Sequence, residues 1–86
     1  MDPLSQVRLI LTHSLKLGPR GEKLSASSPL LGALPELDSL ALASILTSFE
    51  EQLGIKIEDD EINAETFATL GSLSDFVARK LAGQHG

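Results

Sequence analysis

Ser39 is the residue of this chain best placed to do chemistry. It stands between Asp38 and Leu40, where a stretch rich in Pro, Gly and Ser gives way to an apolar helical pattern. A hydroxyl at a helix start faces solvent beside backbone N–H groups that lack intrahelical acceptors, a setting that favours phosphate. No machinery for nucleophilic attack accompanies it. The chain has no Gly-x-Ser-x-Gly elbow, and its two histidines, His13 and His85, fall in the first helical pattern and at the C-terminal end. No catalytic residue is expected, and both histidines are read as surface groups. The serine is read as a group that is modified and used as a handle.

Two other stretches suggest chemistry and fail on spacing. Glu58-Asp59-Asp60-Glu61 concentrates carboxylates but lacks the alternating oxygen ligands and the glycine of a calcium loop, so no metal is expected there. It reads as a solvated helix start. Gly18-Pro19-Arg20-Gly21 has neither a preceding strand nor a following Lys-Ser/Thr pair, and reads as a turn, not a phosphate loop. There is no cysteine, which removes disulfides and thiolate metal sites.

The chain must place Ser39 with modest means. Its 86 residues make one small domain, and 42% of them are hydrophobic. Phe49, Phe67 and Phe76 are the only aromatic residues, so Leu, Ile and Val must fill most of the core. A net charge of −5 opposes phosphate backbones and argues against nucleic acid as a partner, while suiting basic protein surfaces. The apolar run Leu9–Leu11 is far too short for a membrane span, and the beginning of the chain lacks a positive region. A cytoplasmic monomer without membrane contact is expected.

Asp2-Pro3 resembles an N-cap followed by an N1 proline, and Leu4, Val7, Leu11 and Leu15 recur at helical spacing, predicting a helix over about 3–17. Residues 18–38 hold the prolines and glycines of a long loop, which Leu30, Leu31, Leu34 and Leu37 are expected to pin to the core. Leu42, Ile45, Leu46, Phe49 and Leu53 form one apolar stripe, predicting a helix over about 39–53 that ends before Gly54. Ile55 and Ile57 read as an extended connector. A short helix is expected at about 63–68, then a break at Gly71. A last helix is expected over about 73–82, with Ser72 to Asp75 as a capping box and a frayed end at Gln84-His85-Gly86. The expected fold is all-α, a small four-helix bundle of three main helices and one short one, with a long loop between the first two main helices.

At about 100° per residue, Leu40 points away from the stripe of the second main helix, Ser39 lies at its rim, and Ser44, Thr47 and Glu51 surround Leu40. This outward face could dock a partner protein. Asp38 reads as the helix cap and flanks Ser39.

With helix, long loop, Asp38-Ser39-Leu40, Glu50-Glu51, the Ile57 connector, an acidic stretch and a final helix, the chain resembles the acyl carrier proteins and their peptidyl carrier relatives. The resemblance implies 4′-phosphopantetheine on Ser39, delivered from coenzyme A by a phosphopantetheinyl transferase. Acyl or aminoacyl groups would ride on its terminal thiol as thioesters. It implies a ligase or transferase that loads the thiol, and downstream acyl-using enzymes that dock on Leu37, Leu40, Ser44, Thr47, Glu50 and Glu51. Such a protein is a carrier and not an enzyme. The family commonly has glycine two residues before the Asp, where this chain has Glu36. Many fatty-acid carriers have acidic residues where this chain has Ala41 and Ser44. These departures imply a specialised carrier, whether for fatty acid, polyketide, peptide, lipid or polysaccharide chemistry. The alternative reading is an unmodified helical adaptor that binds a protein through the same face.

Overall fold

The structure is a computed structural model that describes residues 2–83. Pro3 opens α1, Pro3–Ser14, behind an extended Asp2. The Asp2 carboxylate makes no capping bond to the backbone, and the Ser5 side chain beside it holds its pKa below the ordinary carboxylate value. α1 stops at Ser14, short of the expected 17. Lys16 adopts the left-handed conformation, with φ 55°, and the Leu17 N–H reaches back to the Thr12 carbonyl at 3.0 Å. This six-to-one bond is a Schellman ending, with Lys16 where glycine is usual. It turns Leu17 into the core.

The loop that follows contains a helix absent from the sequence reading. α2, Pro19–Glu22, is a single turn with proline at its first position. Beyond it, residues 26–31 run antiparallel to 67–71. Pro29 and Thr69 form an isolated bridge, Leu30 and Leu31 donate to the Ala68 and Phe67 carbonyls at 3.0 Å each, and Gly71 donates to Ala26 at 2.8 Å. Leu30 and Leu37 are buried and Leu34 packs partly against the core, so three of the four leucines pin the loop; Leu31 stays exposed.

α3, Ser39–Leu53, ends at Gly54, whose φ of 68° is open to glycine without strain and whose N–H closes on the Glu50 carbonyl. Ile45 and Phe49 are its fully buried residues, while Leu42, Leu46 and Leu53 pack partly against the core. The connector passes Ile55 into the interior. A 3₁₀ turn covers Asp59–Glu61, and the expected helix at 63–68 is instead a set of turns. The Asn63 side chain accepts from both the Thr66 N–H and its hydroxyl, an Asx-type bonding pattern that competes with helix formation. Glu61, the last residue of the acidic run, braces this segment against the last helix by pairing with Lys80 at 2.8 Å.

α4, Leu70–Gly83, begins before Gly71 and includes it, so that glycine does not break the chain. The capping box lies three residues earlier than expected. Thr69 Oγ1 accepts from the Ser72 N–H at 3.0 Å, and Ser72 Oγ accepts from the Thr69 N–H at 3.1 Å. Ser74 is buried and its hydroxyl donates to the Leu70 carbonyl at 2.8 Å. Residues 84–86, where a frayed end was expected, lie outside the described residues. α1 packs against α2, α3 and α4 and is the shared wall of the bundle. Val7, Leu11, Ile45, Phe49, Phe67, Leu70, Leu73 and Val77 meet in one core that is closed to solvent. The architecture is all-α among the described residues.

Candidate functional site

The site is built where the loop enters α3. Asp38 is extended, at φ −102° and ψ −176°, which turns its side chain back over the first turn. Its Oδ1 accepts from the Ala41 N–H at 2.8 Å, and its carbonyl accepts from Leu42 at 2.8 Å. Asp38 therefore satisfies one of the orphan donors of the helix start and places a carboxylate at the positive end of the dipole. Ser39 is the first residue of α3 and is exposed. Its hydroxyl makes no hydrogen bond among the described residues, so the oxygen is free to react without breaking a structural contact.

The outward face emerges as the periodicity predicts. Leu40 is 82% exposed, an unusual position for a leucine, and Ser44, Thr47 and Glu51 are exposed with it. Ala43, which the sequence reading left out, also reaches this surface. The face carries one acidic group, Glu51.

Two residues assigned to partner recognition do not present their side chains to a partner. Leu37 is only 7% exposed and belongs to the core. The turn in which its N–H meets the Leu34 carbonyl directs the side chain inward, so it supports the site from below. Glu50 is half-buried, and its Oε2 accepts from the Ile57 N–H at 3.0 Å. It fastens the connector to α3. A pair of adjacent glutamates late in a helix points about 100° apart, so only one of them can share the outward face.

The remaining candidates are elsewhere. His13 lines a groove between α1 and α2 with Ser5, Arg8 and Thr12. His85 lies outside the described residues. No group of three or more metal-ligating side chains occurs among the described residues. The site's neighbour Glu36 also has a partner that sequence reasoning missed. Glu36, two residues before Asp38, forms an ion pair with Arg20 of α2. Because α2 was read as a turn, nothing in the sequence pointed to that partner.

A helix-start serine with a free hydroxyl, capped by its neighbour and set after a pinned loop, is what a covalently attached phosphate ester needs. Residues 5–77 match the family model described as a phosphopantetheine attachment site. The fold is similar to the solution structure of a holo acyl carrier protein from Nitrosomonas europaea, with 51% sequence identity and a TM-score of 0.88. The match covers 95% of this chain and 99% of that one. No curated protein matches the chain.

The chain thus belongs to the phosphopantetheine-attachment family, as an acyl carrier protein. It is a carrier and not an enzyme, and its prosthetic group is a covalently attached 4′-phosphopantetheine. Its partners are accordingly transferases and acyl-using enzymes, and the reading as an unmodified adaptor is not favoured. No helix among the described residues is long and apolar enough to cross a membrane.

Proposed function

We propose that Ser39 is the residue that carries the arm, and that the protein holds acyl or aminoacyl groups as thioesters on the arm's terminal thiol. The observation that carries this is the exposed, unbonded hydroxyl at the first position of α3, with Asp38 already committed to the cap. The residues present fit the group. The helix start favours the phosphodiester charge, and the absence of cysteine leaves the thiol chemistry to the arm. In the attachment step the Ser39 oxygen would form the new O–P bond to the pantetheine-bearing phosphorus, the pyrophosphate linkage of coenzyme A would break with adenosine 3′,5′-bisphosphate leaving, and the serine proton would pass to a base on the transferase.

Leu40, Ser44, Thr47 and Glu51 present the loaded arm to a ligase or transferase that charges it and to the acyl-using enzymes that follow. The sparse charge of this face supports a dedicated pathway in which recognition rests on apolar and hydrogen-bonding contacts. A cytoplasmic monomer is part of the same proposal. The test is intact mass after incubation with coenzyme A and a promiscuous phosphopantetheinyl transferase. A single phosphopantetheine increment is expected, and Ser39→Ala abolishes it. No increment with several transferases, or an increment that survives Ser39→Ala, refutes the assignment.

A further inference from the structure

We propose that the Arg20–Glu36 ion pair is a strut that sets the pose of Ser39 for the transferase, an inference that rests on Ser39 being the attachment residue. Arg20 has a firm base. α2 lies directly on α1, with Gly21 so close to Thr12 that a Cβ there would come within 2.0 Å of the Thr12 hydroxyl oxygen. Leu24 closes the turn onto Gly21, and the Arg8 guanidinium donates to the Leu24 carbonyl at 3.2 Å. Arg20 thus projects from a turn seated directly on α1, the helix that forms the wall of the core.

At the other end, Glu36 belongs to the turn that delivers the site. Its carbonyl accepts from the Asp38 N–H at 3.1 Å, and Asp38 is the residue whose side chain caps α3. The connection runs from α1 through α2, Arg20 and Glu36 to Asp38 and Ser39. Leu37 ties the same turn to the core from beneath, so the ion pair is its outer fastening.

The second oxygen of the Glu36 carboxylate shows that the side chain is held there. Oε1 is buried and has no hydrogen-bond partner among the described residues. A glutamate on a surface turn ordinarily hydrates both oxygens, and giving up one without replacement is unfavourable. The pairing with Arg20 draws the side chain inward despite that loss. A strut of this kind acts on the fraction of molecules whose Ser39 is ready to dock. Losing it weakens apparent binding of the transferase by that fraction and leaves the chemical step alone.

The experiment compares Arg20→Ala, Glu36→Ala and the exchanged pair Arg20→Glu/Glu36→Arg with the wild-type apo protein. Transferase kinetics are followed by intact mass, and the amide signals of Asp38, Ser39 and Leu40 by NMR. Each single variant is expected to raise KM about two- to fivefold, the range of a partly exposed ion pair, with kcat unchanged. The three amide signals shift, and the exchanged pair restores both KM and the signals. Wild-type KM in both single variants, or an exchanged pair no better than the singles, overturns the proposal. Should the wild-type protein accept no arm, the attachment reading fails, and the amide signals alone decide the strut: unmoved signals refute it and restored signals support it.

Discussion

Replacing Asp38 separates its two roles, as a hydrogen-bond acceptor and as a charge. In Asp38→Ala the Ala41 N–H loses its acceptor at 2.8 Å, while the Leu42 bond to the residue 38 carbonyl survives. Loss of an N-cap of this kind costs about 1 kcal/mol. Asp38→Asn keeps an oxygen in the same place and loses only the charge at the helix start, which at an exposed position and physiological salt is worth about 0.3 kcal/mol. An 86-residue domain has a total stability of roughly 4–13 kcal/mol, so the cap is a sizeable share of it. Thermal unfolding followed by circular dichroism is expected to show Asp38→Ala melting about 4–8 °C below wild type, with Asp38→Asn losing no more than about 2 °C. Equal melting of the two variants would refute the reasoning, because the acceptor would then not be what holds the first turn. Modification kinetics add a second reading. An Asp38→Asn protein of near-native stability that is modified slowly would show that the carboxylate serves the transfer itself.

Gly71→Ala brings a Cβ to 2.8 Å from the Ala26 carbonyl oxygen that Gly71 itself donates to, and is expected to lower stability by about 1–3 kcal/mol in denaturant titration. Gly83→Ala, with nothing within 4 Å of the new atom, is the neutral control. Glu50→Ala strips the Ile57 N–H of its acceptor and is expected to cost about 1 kcal/mol, whereas Glu51→Ala at the exposed neighbouring position stays within about 0.5 kcal/mol of wild type by the same measurement. Binding of partner enzymes through the sparsely charged face of α3 is expected to depend weakly on salt, and a steep loss of affinity between low and physiological ionic strength, measured by calorimetry, would contradict that surface as the dock.

The sequence discloses the parts of this molecule that rest on local rules. The 3.6-residue period placed the stripe of α3, the exposure of Leu40 and the inward turn of Ile45 and Phe49. The Asp38 side chain caps the helix as its residue type predicts. The misses share a cause, which is that tertiary partners chose among locally open alternatives. Lys16 in a left-handed conformation ends α1 because Leu17 gains a buried place by it. Gly71 reads as a helix breaker in isolation, yet it sits inside α4 because the Ala26 carbonyl comes too near for any side chain. Asn63 outcompetes a helix by bonding Thr66. Leu37 and Glu50 sit beside surface residues in sequence, but their side chains are claimed by the core and by Ile57, contacts that no spacing rule announces.

The pairing of residues 26–31 with 67–71 bears on how the protein is made. Its partners are roughly 40 residues apart, and closing a loop of that length carries an entropic cost that local helix formation does not. Synthesis proceeds from the N-terminus at about 5–20 residues per second. α1 and α3 are therefore made before the strand-like segment that anchors the loop feeding Ser39. Without residues 67–71, that loop would have the Arg20 pair and its own turns to hold it. The loop that feeds Ser39 is therefore fastened by a segment from the far end of the fold, so the settled site is a property of the assembled domain and not of its first two-thirds.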